Sequence, residues 1–261
     1  MSILPGAEPY HHDGGPVGFL LCHGFTGTPQ SLRPWAEHLA ADGLTVSLPL
    51  LPGHGTRWED MQLTTWQDWY AEVERAFDAL RTRCEYVFAG GLSMGGTLAL
   101  RLAELRGDEV AGLVLVNPSV HADDARLKAL PVLKHLVRSV AGIGSDIRKE
   151  GASELAYSRT PLKPLHSLAK AWQVVQADLP QVTQPVLLFR SPQDHVVAPA
   201  NSETVLARIS STDVAAELLP DSYHVATLDN DADRIFTGSL EFVRRLSSLQ
   251  GQDDAKDDAK D

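Results

Sequence analysis

Three residues of this 261-residue chain carry the side chains that acyl transfer requires: Ser93, Asp194 and His224. A serine hydroxyl is a weak nucleophile at neutral pH. It needs a base to take its proton, and the base needs a carboxylate to orient it and balance its charge. Ser93 lies in Gly91-Leu92-Ser93-Met94-Gly95, after the apolar run Tyr86-Val87-Phe88-Ala89 and before the helix-like run Thr97 to Ala103. Strand, tight turn and helix expose such a serine as a nucleophile. Glycine at 91 and 95 removes side chains that would collide across so sharp a turn.

Five histidines follow Ser93: His121, His135, His166, His195 and His224. His224 is the expected base, because its loop, Pro220 to Val225, falls between the last strand-like run and the final helix. His121, His135 and His166 belong to a separate inserted region, and His195 adjoins a better acid. That acid is Asp194, in the loop directly after the run Val186 to Phe189. Asp178 precedes that run and sits at the wrong edge. Asp221 suits a turn or a helix cap.

Acyl transfer also needs donors for the developing oxyanion. The backbone N–H of Met94, next to the nucleophile, is one. The second is expected from His23-Gly24-Phe25-Thr26-Gly27, after the first clear strand. Gly24 admits close approach of substrate, and the Phe25 N–H is the donor. His23 is read as a loop-stabilising residue, and His54, in Pro52-Gly53-His54-Gly55, as a loop residue.

The elements that must position these groups alternate. Strands are expected at Val17–Cys22, Leu44–Leu48, Cys84–Ala89, Gly112–Asn117, Pro185–Arg190 and Val214–Leu219. Helices are expected at Ser31–Ala41, Trp66–Leu80 and Asp231–Leu249. Near-continuous apolar strands separated by helices predict an α/β fold with a mainly parallel central sheet and helices on both faces. Ligands bind such sheets at the carboxyl ends of the strands. Between Asn117 and Pro185 no strand is expected. Two helical stretches, Leu127 to Val140 and Leu165 to Val175, flank a turn at Gly142-Ile143-Gly144. They read as a lid over the site, with crossover helices as the alternative.

Composition narrows the partners. The chain is 43% hydrophobic and 22% charged, enough for one sizeable core. The net charge of -11 argues against nucleic acid and against an anionic membrane surface. No run approaches the length of a membrane helix, so no stable membrane insertion is expected. No secretory signal is evident at the N-terminus, and a cytoplasmic location is the expectation. Residues 251–261 form an acidic Asp-Asp-Ala-Lys repeat without an apolar face, expected to be a disordered tail. Cys22 and Cys84 read as buried free thiols. No metal-binding spacing and no phosphate loop occur, so no cofactor or metal is expected. His11-His12 reads as a solvated pair. The oligomeric state, monomer or small homo-oligomer, is left open.

Five pieces together resemble the α/β-hydrolase carboxylesterases, most closely the bacterial carboxylesterase and monoacylglycerol lipase group. They are Leu21 to Gly27, Gly53-His54-Gly55, Gly91 to Gly96, Asp194 to Val197 and Ser222 to Val225. They run from about residue 17 to the final helix. The resemblance implies the α/β-hydrolase fold as a single domain over 1–250 with a small helical cap over about 118–180. It implies Ser93 as nucleophile, His224 as base, Asp194 as its partner, and the Phe25 and Met94 amides as the oxyanion hole. The expected reaction is hydrolysis of short- to medium-chain carboxylic esters, with monoacylglycerols among them, through an acyl-enzyme. A thioesterase or peptidase on the same triad and a non-catalytic binding protein are the rival readings.

Overall fold

The computed structural model describes residues 2–122, 125–142 and 144–257. Seven strands form one sheet. In chain order they begin with β1 (Tyr10–His12), β2 (Val17–Cys22), β3 (Thr45–Leu48), β4 (Tyr86–Leu92) and β5 (Gly112–Val116). A separate pair, β6 (Ser139–Ala141) and β7 (Arg159–Pro161), comes next, followed by β8 (Val186–Arg190) and β9 (Val214–Leu218). The main sheet runs β1-β3-β2-β4-β5-β8-β9, with only β1 antiparallel to its neighbour. The short edge strand β1 is an addition to the expected set. Its alternation is too brief to stand out in the sequence.

Alternate residues of each strand supply two cores, as the two-residue period of a strand requires. On one face Phe19, Leu21, Phe88, Val114, Val116 and Phe189 pack with α1 (Arg33–Ala41) and α8 (Ala232–Asp257). On the other, Leu20, Cys22, Val87, Ala89, Leu113 and Leu188 pack with α3 (Trp66–Arg81) and α4 (Met94–Arg106). A four-residue helix, α2 (Trp58–Met61), precedes α3. The amphipathic α3 opens with a capping box, in which the Asp68 carboxylate accepts from the Thr65 N–H at 2.7 Å. Both cysteines are free and buried.

The insertion between β5 and β8 differs from its expectation in two ways. Its first helix, α5 (Leu130–Leu136), is short, and β6 and β7 pair where no strand was expected. Val140 therefore sits on a strand, and Leu136 is 78% exposed rather than packed inward. The second helix, α6 (Leu162–Asp178), buries Leu168, Ala171, Trp172 and Val175 in the same cluster as α3 and α4. It thus does the work of a crossover helix, while α5, β6 and β7 lie before it. Ile143, in the expected turn, is outside the described residues. The last connection holds α7 (Ala200–Arg208), and α8 continues as helix to Asp257. The helix thus enters the segment where disorder was expected; residues 258–261 lie outside the described residues. No helix among the described residues is long and apolar enough to cross a membrane.

Candidate functional site

Ser93 occupies the turn between β4 and α4 with φ 57° and ψ -118°. A left-handed φ is costly for a non-glycine residue, about 1–3 kcal/mol, and neighbouring structure must hold it. The Ser93 N–H donates to the Val116 carbonyl at 3.0 Å, and the Ser93 carbonyl accepts from Ser119 N–H at 3.2 Å. The glycines are needed for contact, as the motif suggests. A β-carbon on Gly95 would lie 1.8 Å from the Cys22 carbonyl oxygen, and one on Gly91 would lie 2.4 Å from the Gly95 carbonyl carbon. The turn is thus pressed against the end of β2.

The loop after β2 lies beside the serine: a β-carbon on Gly24 would stand 3.7 Å from Ser93 Cβ. His23 fixes this loop. Its Nδ1 bonds the Gly24 carbonyl at 3.0 Å, and its Nε2 accepts from Leu51 N–H at 3.1 Å. That pairing sets the tautomer with the proton on Nδ1. Burial pushes the His23 pKa down to about 4, so the ring is neutral. His54 stacks edge-on against His23 and Trp69, and burial also lowers its pKa. Met94 is the first residue of α4, where backbone N–H groups have no intrahelical acceptor. Met94 directly follows the serine, and Phe25 directly follows Gly24 in the loop beside it.

Asp194 and His224 meet. His224 Nδ1 lies 2.7 Å from Asp194 Oδ2, with side-chain exposures of only 9% and 2%. The other carboxylate oxygen of Asp194 accepts from the Val196 and Val197 N–H groups at 2.8 and 2.7 Å. The carboxylate is thereby fixed on both sides. Burial of the His224 imidazole pulls its pKa down. The hydrogen bond and charge of Asp194, with the charges of Glu154 and Asp146, more than offset this and leave it raised above 6.5.

Residues at the end of β5 tie the serine turn to the histidine loop. Val116 accepts from Ser93, and the next residue, Asn117, donates from Nδ2 to the His224 carbonyl at 2.8 Å. Asn117 Oδ1 accepts from Ser191 N–H at 2.8 Å, so one buried amide also holds the loop that carries Asp194. Sequence reasoning missed Asn117. The available signal was an Asn at a strand's end before a proline, a residue that tolerates the left-handed φ of 43° found here.

It also missed the segment 145–157, which crosses the site. Tyr157 N–H donates to the Thr26 carbonyl at 3.0 Å, and Leu155 N–H to Gln30 Oε1 at 2.9 Å. A β-carbon on Gly27 would come 2.7 Å from Glu154 Oε1. Glu154 therefore sits over the Gly24–Gly27 loop, and burial pushes its pKa up. The remaining candidates have other partners. His166 Nδ1 is 3.0 Å from Lys134 Nζ, Asp178 pairs with Arg101 at 2.6 Å, and Asp221 pairs with Arg148 at 3.2 Å. His195 Nδ1 is 2.8 Å from Asp146 Oδ1.

A buried His–carboxylate pair on loops tied through Asn117 to the turn of a strained serine, with amides on two loops, has the parts required for nucleophilic acyl transfer. Known proteins carry the same arrangement of chain. The family described as "Serine aminopeptidase, S33" matches residues 18–231. A thermostable monoacylglycerol lipase of a Bacillus species is 47% identical over 243 residues, spanning 93% of this chain and 96% of its own. A carboxylesterase of Bacillus subtilis is 25% identical over 242 residues, spanning 92% and 97%. A solved structure from a study of LipS and LipT, two metagenome-derived lipolytic enzymes, superposes with a TM-score of 0.91 at 42% identity. It covers 94% of this chain and all of that one.

Proposed function

Because the chain belongs to the α/β-hydrolase family described as serine aminopeptidase, we propose that it is a carboxylesterase that releases the acyl chain from monoacylglycerols through Ser93. It is a serine hydrolase of carboxylic esters. Ser93 Oγ attacks the ester carbonyl while His224 Nε2 takes its proton. Asp194 holds the resulting imidazolium. The oxyanion sits on the N–H groups of Phe25 and Met94, one such donor contributing about 2.7–4 kcal/mol in a measured case. The C–O bond then breaks, and the alcohol leaves with the proton from His224. Water, deprotonated by His224, attacks the acyl-enzyme, and the acid leaves as Ser93 regains its proton.

The observation that carries this reading is the buried 2.7 Å contact between His224 Nδ1 and Asp194 Oδ2, on a loop tied through Asn117 to the turn of Ser93. Glu154 supports glycerol as the alcohol. A carboxyl group over the Gly24–Gly27 loop can hydrogen-bond the free hydroxyls of a monoacylglycerol, whereas a triacylglycerol has none. The two free cysteines suit a reducing compartment, and the cytoplasm is the proposed location.

Hydrolysis rates across monoacylglycerols of increasing acyl length, with matched thioesters and amino-acid amides, test this. Monoacylglycerols of short to medium chain should be cleaved fastest. Faster cleavage of the amides would favour the peptidase activity named in the family description.

A further inference from the structure

Asp146 lies in the segment between β6 and β7, outside the loops that carry the proposed triad, yet its carboxylate is spent on those loops. Its Oδ1 is 2.8 Å from His195 Nδ1. Its Oδ2 accepts from the N–H of His195 at 3.2 Å and of His224 at 3.1 Å. Its backbone carbonyl accepts from Val225 N–H at 3.1 Å. His195 follows Asp194 in sequence, and His224 is the base itself. One carboxylate therefore bridges the backbone of the acid loop to that of the base loop, while the Asp194–His224 bond joins their side chains.

The segment that presents Asp146 is itself anchored. Asp229 accepts from the N–H groups of Arg148 and Lys149 at 2.7 and 2.9 Å, and also from that of Tyr223 at 2.9 Å. Farther along, Tyr157 and Leu155 attach the same segment to the loop of Phe25. An exposed His–carboxylate pair alone would contribute little. That reading does not account for the second oxygen, which is committed to two backbone amides. The Asp146 side chain is only 15% exposed, against 60% for His195.

We propose that Asp146 is a positioning residue for ester hydrolysis, holding the loops of Asp194 and His224 in register from the inserted segment. The inference rests on the reading of Ser93, Asp194 and His224 as the triad. Its charge matters as well as its geometry. The charged groups that face His224 are Asp194, Glu154 and Asp146, and each favours the imidazolium. His195 lies on the outer side of Asp146, and the Arg148 guanidinium is engaged with Asp221 and the Tyr223 ring. Removing the Asp146 charge should therefore lower the pKa of His224. Displacing the carboxylate should misalign the base, a fault that can cost up to about a hundredfold in rate.

The test compares Asp146→Asn and Asp146→Glu with wild type on p-nitrophenyl butyrate. Rates are counted per active site labelled by a fluorophosphonate, so that only folded protein contributes. For Asp146→Asn the expected result is a kcat about tenfold or more lower, KM nearly unchanged, and the acid limb of the pH profile moved to lower pH. For Asp146→Glu, kcat should fall while the acid limb stays in place. A purely structural staple would lower the melting temperature and leave kcat per labelled site and the acid limb as in wild type; that outcome in both variants overturns the proposal. Failure of wild type itself to label at Ser93 would instead overturn the triad reading.

Discussion

The Gly95 backbone lies so close to the Cys22 carbonyl that a β-carbon on Gly95 would fall 1.8 Å from the Cys22 oxygen. The end of β2 and the start of α4 are in direct backbone contact, and this contact fixes the serine turn between them. Neither partner can yield cheaply, since Cys22 pairs with Gly91 in the sheet and Gly95 is in the first turn of α4. Gly95→Ala should therefore cost about 3 kcal/mol or more of stability and nearly all esterase activity. Urea unfolding monitored by circular dichroism, with a parallel ester assay, reads both. A variant with the wild-type midpoint and rate would show that the turn is not held this way.

Asp194 is expected to act through His224. Asp194→Asn keeps the shape but presents an amide that cannot stabilise an imidazolium. In the analogous serine-protease case kcat falls by roughly 10⁴, and a similar loss is expected here with folding intact. Stopped or steady-state hydrolysis of a p-nitrophenyl ester measures it. A loss of less than about tenfold would place the orienting carboxylate elsewhere.

The pH dependence follows from the direction of the His224 shift. In the proposed mechanism the ring must be neutral to accept the Ser93 proton, and its pKa in the folded protein is raised above 6.5. Activity should therefore rise with pH, with the midpoint of the acid limb of kcat/KM above 6.5. The same shift stabilises the fold fully below 6.5, and that contribution is lost as pH rises through the folded-state pKa. A pH–rate profile with a midpoint below 6.5 would contradict the burial and charge balance described for His224.

His23 should behave differently from His224 although both are buried histidines near Ser93. It bonds the Gly24 carbonyl and the Leu51 N–H, and its pKa is near 4. His23→Ala leaves two buried backbone groups without partners, each costing about 1–3 kcal/mol, and loosens the loop of Phe25. Stability and kcat should both fall while the acid limb stays where it was. A shift of that limb would assign His23 a protonation role.

Much of the candidate site was legible because the residues proposed to carry its chemistry lie just after apolar strands. Ser93 follows β4, Asp194 follows β8 and His224 follows β9, and periodicity finds those strands. The glycines at 91 and 95 announced a crowded turn, and the structure supplies the groups that crowd it. Asn117 and Asp146 were not legible for a physical reason. Each makes hydrogen bonds to backbone groups 74 to 107 and 49 to 78 positions away, respectively. No local pattern encodes such a bond. The β6–β7 pair escaped because three-residue strands hold too few alternations to be read. The outward-facing Leu136 escaped because an apolar repeat does not say which side of a short helix is covered.

The most direct measurement is the rate at which folded Ser93→Ala hydrolyses p-nitrophenyl butyrate. With the hydroxyl gone, His224, Asp194 and the oxyanion amides remain but nothing is left to form the acyl-enzyme. The rate should fall by at least about 10⁴ while the melting temperature stays close to that of wild type. Turnover near the wild-type rate by that folded variant would contradict Ser93 as the nucleophile.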